Sequence, residues 1–300
     1  MRRFATLRRA SLSLTLLLLC VSLAIPAFAG SGGGPAPRKG ILLVAFGTTV
    51  PEARVSLDKI ETAVRNAFPD TEVRWAYSAK QVRNTVRKNE GKDIPSPAAA
   101  LAQMGDEGFT HVAVQSLQTI PGEEYHNLLK TAEAFNGMPK GTQVVTVGVP
   151  MLYSPDDIEK AATALVAAAP KERKAAEALV FMGHGTHHFG NIFYPGLQFS
   201  LSKADPNTFV GTVEGTPSLD DVVATLSARN IRTVWLMPLM AVAGDHAQND
   251  MAGPEDDSWK SVLESKGFTV HTVLKGTGEH AALAALWVAH LKDAFAELDN

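Results

Sequence analysis

The second half of the chain repeats the pattern of its first half, and this repeat limits the possible folds more than any other feature. The strand-like segment at residues 109–114 resembles the segment at residues 231–236, and aligning the two sets Gly122 against Gly244. Both copies are long enough to form several secondary-structure elements. The duplication therefore predicts two similar lobes with one cleft between them.

The two copies differ where metal-binding side chains occur. A second pair of strand-like segments aligns Phe46 with His184, and the first pair aligns Glu124 with His246. One copy carries an imidazole where the other has an apolar or acidic side chain. A purely structural role for these histidines is therefore disfavoured.

Composition sets the broad class of the protein. A chain of 300 residues with 45% hydrophobic and 20% charged residues can bury a large core, and its length suggests about two domains. Its formal net charge of −3 lacks the basic excess that nucleic acids or anionic membrane surfaces attract. We therefore expect no nucleic-acid partner, and any anion must be bound by local clusters.

The N-terminus has the features of a secretory signal. Arginines precede an apolar run at residues 12–24, and Ala27-Phe28-Ala29 fits the small-x-small cleavage rule. We expect residues 1–29 to be cleaved, with residues 30–38 as a flexible leader, and the mature protein to be periplasmic and free of the membrane. The alternative is an uncleaved anchor. Cys20 is the single cysteine, so the mature chain would lack disulfides, thiolate ligands and a cysteine nucleophile.

From Lys39 onward, short apolar runs alternate with amphipathic stretches, which predicts βα units and an α/β fold of two similar lobes, each with a mainly parallel sheet flanked by helices. We place the lobe boundary near Pro170, giving an N-terminal lobe at 39–170 and a C-terminal lobe at 171–300. The predicted strands are residues 41–46, 72–77, 111–117, 143–149, 178–182, 208–213, 233–237 and 268–273.

Three ligand-capable side chains follow three successive strands of the second lobe. They are His184, Glu214 and His246, and ligands of parallel α/β sheets bind beyond the carboxyl ends of the strands. Two neutral imidazoles and one carboxylate suit Co, Ni, Zn or Fe(II) better than Mg or Ca. In the first copy, Ser78 is the expected counterpart of Glu214.

Residues around these ligands extend the predicted site. Gly183 and Gly185 permit a tight turn and close approach of a ligand to the backbone. Asp245 is placed to orient an imidazole through its second ring nitrogen. His187 and His188 are either a peripheral relay that collects metal or polar loop residues.

The first lobe supplies a possible proton acceptor. Glu124 and its neighbour Glu123 are expected to face the cleft, where a carboxylate can accept protons from a substrate nitrogen. Both residues can equally be helix N-terminal acids stabilised by the helix dipole. The two roles are compatible.

Basic residues and one histidine of the first lobe have open roles. Lys80, Arg83 and Arg87 lie on one predicted helix, where they either dock substrate carboxylates or form a solvated face. His126 is a surface residue, a second metal ligand or an axial ligand to a bound metallo-tetrapyrrole such as haem.

Several motifs together resemble a known family. They are residues 41–48, 114–117, 122–125, Met182-Gly183-His184-Gly185-Thr186, Val213-Glu214-Gly215 and residues 243–251. In this order and spacing they resemble the anaerobic cobalt chelatases of the CbiK type, which are class II chelatases related in fold to ferrochelatase. The resemblance extends over residues 39–300.

The resemblance implies insertion of Co(II), with Fe(II) or Ni(II) as alternatives, into sirohydrochlorin, an octacarboxylate tetrapyrrole. It implies that His184 and His246 hold the metal, Glu214 is a third ligand and Glu124 is the facing acid that helps remove pyrrole protons. No nucleotide is implied, and a dimer or tetramer is expected. Because such chelatases usually act in the cytoplasm, the export signal leaves an alternative: a periplasmic binding or carrier protein for a metal ion or haem.

Overall fold

The computed structural model describes residues 36–300. The predicted signal peptide at residues 1–29, with Cys20, and residues 30–35 of the predicted leader lie outside the described residues. Among the helices of residues 36–300, none is long and apolar enough to span a bilayer.

Eight strands and nine α-helices alternate along the described chain. The strands are β1 (Lys39–Ala45), β2 (Glu72–Tyr77), β3 (His111–Ser116), β4 (Val144–Gly148), β5 (Ala178–Gly183), β6 (Thr208–Thr212), β7 (Thr233–Pro238) and β8 (Thr269–Thr272). The helices are α1 (Val55–Ala67), α2 (Lys80–Glu90), α3 (Pro97–Asp106), α4 (Glu123–Phe135), α5 (Pro155–Ala167), α6 (Phe193–Ala204), α7 (Leu219–Ala228), α8 (Trp259–Ser265) and α9 (Ala281–Ala296).

The strands form two four-stranded sheets with the same topology. The first sheet has the order β2-β1-β3-β4 and the second has the order β6-β5-β7-β8, and all neighbouring strands are parallel. In the first sheet Ile41 pairs with Ala113, and in the second Leu179 pairs with Trp235. These registers confirm the internal duplication and the two-sheet α/β fold.

Burial of both sheet faces explains the continuous apolar strands. Every residue of β1 after Lys39 is buried, as expected for a parallel sheet covered on both sides. One large core contains the facing sides of both sheets together with α1, α5, α6 and α9. Smaller cores lie beneath α3 and α4 on the first sheet and beneath α7 and α8 on the second.

The C-terminal helix crosses back to the first sheet. α9 packs against β3 and β4, and Thr146 donates a hydrogen bond to the carbonyl of Ala294 at 2.7 Å. His290 of α9 is buried, with Nε2 3.1 Å from Asp157 of α5. The predicted boundary at residue 170 stays a prediction, but the packing of α9 joins the two sequence halves into one core.

The first turns of helix α6 contain Pro195 and Gly196, two residues that usually mark the end of a helix. Pro195 is the third helical residue, where its missing N–H would have no partner inside the helix. A Cβ added to Gly196 would lie 3.7 Å from Ile158 of α5. The proline is therefore compatible with the helix, and the glycine lies where α5 and α6 pack together.

Candidate metal site

The turn that carries His184 is built around two glycines. His184 directly follows β5, and Gly185 has a positive φ of 79°. A Cβ at Gly185 would lie 2.8 Å from the Gly215 nitrogen, and one at Gly183 would lie 2.4 Å from the Tyr194 ring. Protein groups thus pack closely against both glycines, and close approach of a ligand to this turn stays a prediction.

Tyr194 supports this turn from beneath. Its side chain is 2% exposed, and its hydroxyl accepts a hydrogen bond from the Gly185 N–H at 3.4 Å. Burial raises the pKa of Tyr194 to about 12, an effect partly offset by hydrogen bonds with the backbone at Gly185 and His184. The phenol is therefore neutral near pH 7 and positions the histidine turn.

Replacing Gly185 with alanine is expected to lower both stability and metal affinity. The left-handed backbone costs about 1–2 kcal/mol for a residue with a Cβ, and the contact with Gly215 adds to this cost. Thermal unfolding and a cobalt titration measure the two effects. Gly196→Ala is the matched control, since alanine is favoured in a helix and meets only an ordinary contact there. Equal melting temperatures for the two variants would contradict the expectation.

His246 is oriented by a carboxylate four residues later. Its Nδ1 lies 2.5 Å from Oδ2 of Asp250, and the intervening residues form one wide helical turn. The prediction that Asp245 orients an imidazole is therefore wrong for His246, because Asp245 accepts a hydrogen bond from Asn249 at 3.0 Å. The i, i+4 spacing of His246 and Asp250 was the available sequence signal.

The two predicted imidazoles lie side by side. The ring centroids of His184 and His246 are 4.7 Å apart, and the rings are nearly perpendicular at 81°. His184 donates its Nδ1–H to the Gly185 carbonyl at 2.9 Å, and His246 donates its Nδ1–H to Asp250. In the neutral rings this arrangement leaves both Nε2 lone pairs free for a metal.

The spacing of the rings is compatible with one shared ion. An ion about 2.1 Å from each Nε2 would lie about 3.2 Å from each ring centre. Centroids 4.7 Å apart would then subtend roughly 95° at the ion. This angle lies between octahedral and tetrahedral values. The side chains of His246 and Asp250 are 39% and 43% exposed, so solvent reaches this part of the site.

Replacing Asp250 with asparagine is expected to weaken cobalt binding about 10- to 100-fold, the range typical for outer partners of metal ligands. The amide oxygen can still accept the Nδ1–H bond, but the negative charge that raises ligand basicity is lost. A cobalt titration of the metal-free protein measures the change. Asp245→Asn removes the same charge nearby and should have little effect; equal losses in both variants would assign the effect to net charge.

Glu214 lies on the loop after β6, beside the His184 turn. Its backbone N–H donates to the His184 carbonyl at 2.8 Å, and the residue is exposed. Within residues 36–300, no group of three or more His, Cys, Asp or Glu residues is arranged to hold a metal ion. The structure therefore brings the two histidines together without a third ligand in place, and ligation by Glu214 stays a prediction.

The first-lobe counterpart of Glu214 is Ala79. The N–H of Ala79 donates to the Phe46 carbonyl as that of Glu214 donates to the His184 carbonyl. The expected match of Ser78 with Glu214 is wrong by one residue. The strand pairing in the two sheets shifts β2 by one residue relative to β6, compared with the sequence alignment. The first lobe thus has no carboxylate at this position.

Glu124 occupies the first-lobe position equivalent to His246. The same backbone hydrogen bond starts each following helical turn, from His126 to Gly122 and from Gln248 to Gly244. Glu124 lies in the first turn of α4 and is half-buried, and its carboxylate has no hydrogen bond or ion pair with another described residue. It is therefore a free carboxylate within residues 36–300.

Loops of the two lobes touch beside these residues. A Cβ added to Gly244 would lie 3.1 Å from the hydroxyl oxygen of Thr48 in the loop after β1. A Cβ added to Gly190 would lie 2.5 Å from the carbonyl oxygen of Pro121 in the loop after β3. The carboxyl ends of both sheets therefore contribute to the same region of the surface.

His126 and His188 form a second imidazole pair, with centroids 4.8 Å apart. The Nδ1 of His126 donates to the Gly122 carbonyl at 2.8 Å. The Nδ1 of His188 accepts from the Gly190 N–H at 3.0 Å, so its Nε2 carries the proton in the neutral ring. This protonation does not favour metal binding by His188. The relay role of His188 and the exposed His187, and haem ligation by His126, stay predictions.

The basic residues of α2 have different environments. Lys80 and Arg87 are exposed, and Arg87 forms an ion pair with Asp93. Arg83 is half-buried, and its buried Nε has no hydrogen-bond partner within residues 36–300. Of the three, Arg83 alone combines burial with an unsatisfied donor.

Two parallel sheets of the same order, with a histidine pair at their shared rim, define a chelatase-like α/β protein. The structure resembles that described as SirB from Bacillus subtilis with Fe3+, with a TM-score of 0.55 and 13% identity, covering 87% of this chain and 97% of that one. At this identity the likeness concerns the fold alone.

Sequence similarity establishes the family. The family described as Cobalt chelatase (CbiK) matches residues 39–296. The chain is 41% identical over 266 residues to Sirohydrochlorin cobaltochelatase CbiKC of Nitratidesulfovibrio vulgaris (strain Hildenborough), covering 89% of this chain and 94% of the relative. It is 34% identical over 258 residues to Sirohydrochlorin cobaltochelatase of Salmonella typhimurium (strain LT2), covering 86% and 96%. The chain belongs to the CbiK cobalt chelatase family.

Proposed function

We propose that this protein is a sirohydrochlorin cobaltochelatase, which inserts Co(II) into the tetrapyrrole between its two lobes. The observation that carries the proposal is the pair of imidazoles at the rim, whose centroids lie 4.7 Å apart and whose Nδ1 atoms are both engaged. Two Nε2 lone pairs are thereby free for one divalent ion. The names of the relatives at 41% and 34% identity support the same substrate and metal.

The proposed mechanism uses both lobes. His184 and His246 hold the incoming ion through Nε2 and replace part of its water shell, with Glu214 as the third ligand. Glu124, with no partner among the described residues, accepts a pyrrole proton as the metal approaches the ring nitrogens. Each Co(II) that enters displaces two N–H protons, so two protons leave the site per turnover. Because the protein holds the ion and the macrocycle in one site, the ion is oriented toward the ring nitrogens.

The ligand set is also compatible with Fe(II) and Ni(II). Imidazole and carboxylate bind all three ions, and availability often decides which metal is used. Cobalt is proposed because both named relatives are cobaltochelatases. Competition between equal concentrations of Co(II), Fe(II) and Ni(II) in the insertion reaction tests this choice; preferential insertion of iron or nickel would contradict it.

Incubation of the purified mature protein with sirohydrochlorin and Co(II) tests the reaction itself. The visible spectrum of the macrocycle should change faster than in the protein-free mixture, with the rate proportional to enzyme concentration. Binding of metal or macrocycle without faster insertion would instead identify a binding or carrier protein.

We also propose that the protein is exported and acts as a dimer or tetramer. Export rests on the basic, apolar and small-residue segments of residues 1–29. Fractionation of the source cells and N-terminal sequencing should find a periplasmic chain that begins at Gly30. A cytoplasmic chain that retains residue 1 would contradict the proposal of export. Light scattering measures the oligomeric state.

A further inference from the structure

The side chain of Arg83 has no hydrogen-bond or ion-pair partner among residues 36–300. Its Nε is buried and makes no hydrogen bond, and no ion pair of the described residues includes it. A buried N–H without a partner is costly, because the protein interior offers it no substitute for water. The Arg83 guanidinium is therefore available to an anionic ligand, which would satisfy the buried donor.

Neighbouring acids do not supply this anion, because they already have partners. Glu90, at the end of α2, accepts two hydrogen bonds from Arg54, at 2.6 and 2.5 Å. Asp93 accepts from Arg87. Arg54 and Arg87 are thus paired with carboxylates, while Arg83 has no such partner among residues 36–300.

Ser78 provides a second unsatisfied group at the same end of the helix. Its hydroxyl oxygen is buried and has no hydrogen-bond partner among the described residues. Ser78 follows β2 directly and its N–H donates to Ala45 of β1 at 2.9 Å, so it lies at the carboxyl rim of the first sheet. Arg83 lies one turn into α2, and helical side chains tilt toward the helix N-terminus, here toward the same rim.

We propose that Arg83 and Ser78 form a subsite for one peripheral carboxylate of the tetrapyrrole. A guanidinium recognises a carboxylate through two parallel charge-assisted hydrogen bonds, and a serine hydroxyl donates a third. The inference rests on the proposed function for its ligand, a macrocycle with carboxylate side chains. It assigns the role to Arg83 rather than to the paired Arg87 or the exposed Lys80.

Binding of metal-free sirohydrochlorin, followed by macrocycle fluorescence, tests the subsite without requiring metal insertion. Arg83→Gln should weaken binding about tenfold or more, as expected for the loss of a hydrogen bond to a charged group. Arg83→Lys should recover part of the loss, and Ser78→Ala should have a smaller effect. Lys88→Gln removes the same charge from an exposed position of the same helix and should bind as wild type.

Two further measurements separate binding from a structural role. The melting temperature of Arg83→Gln should equal or exceed that of wild type, because a buried N–H without a partner is removed; a fall would indicate a structural role and overturn the subsite. With the octamethyl ester of sirohydrochlorin, which has no carboxylates, wild type and Arg83→Gln should bind equally. A persistent difference would also overturn it.

The outcomes distinguish this inference from the proposed function. If wild type inserts cobalt and Arg83→Gln binds the macrocycle as tightly as wild type, the subsite is wrong and the chelatase stands. If wild type does not insert cobalt but Arg83→Gln binds the macrocycle more weakly, the subsite stands and the proposed reaction is wrong.

Discussion

Replacing His246 with alanine is expected to reduce cobalt insertion by more than about a hundredfold, because loss of a partner behind a ligand already costs about 10- to 100-fold in affinity. The variant removes one of two adjacent imidazoles and leaves Asp250 without its hydrogen-bond donor. Cobalt affinity, measured by titration, should fall together with the insertion rate. The fold should persist, because the side chain is 39% exposed.

His271→Ala is the matched control for this prediction. His271 is an exposed residue on β8. Its imidazole ring stacks on the ring of Trp235, with the ring centroids 4.3 Å apart. The His271→Ala variant thus removes an imidazole of the same lobe that lies outside the predicted site. It should leave the insertion rate and the cobalt affinity unchanged. Unaltered turnover in His246→Ala would remove His246 from the site and would end the proposed mechanism.

Replacing Glu124 with glutamine is expected to lower the maximal insertion rate about a hundredfold, within the range of about 10²–10⁴ for loss of a general base. Glutamine keeps the size of the side chain but cannot accept a proton from a pyrrole nitrogen. Cobalt affinity should stay close to wild type, because the metal is assigned to the second lobe. Steady-state rates at saturating sirohydrochlorin, with a separate cobalt titration, measure the two effects.

Glu123→Gln is the variant that distinguishes two interpretations of Glu124. The carboxylate either accepts a proton or only interacts with the helix dipole. Glu123 and Glu124 both lie in the first turn of α4, so either charge interacts favourably with the helix N-terminus by about 0.3–1 kcal/mol. Both variants should therefore lose similar, small amounts of stability. A rate loss of equal size in both would favour the dipole interpretation and contradict a specific role for Glu124.

Much of the fold was predictable because it depends on short-range patterns. Continuous apolar runs such as that of β1 indicate buried parallel strands, and all eight predicted strands are present. Helix α6 is harder to predict, because Pro195 and Gly196 usually mark the end of a helix. Whether the helix tolerates these two residues depends on their position within its first turns and on packing against α5. Local periodicity of the sequence shows neither of these.

The candidate metal ligands were predictable from the sequence. The residues that orient these ligands were less predictable. His184 and His246 follow strands β5 and β7, which are neighbours in the sheet, so their proximity followed from the strand order. The carboxylate behind His246 was misassigned to the adjacent Asp245. Its true partner, Asp250, depends on the width of the helical turn between them.

Sequence by itself determined the duplicated α/β plan, the strands and the histidines at their carboxyl ends, because alternation and internal repetition are properties of neighbouring or aligned residues. Only the tertiary structure decided that α9 returns to the first sheet, that Tyr194 lies beneath the His184 turn and that Arg83 has no partner in the described part of the chain. Such contacts join residues distant along the chain, and their energies depend on burial and on which polar groups are already satisfied.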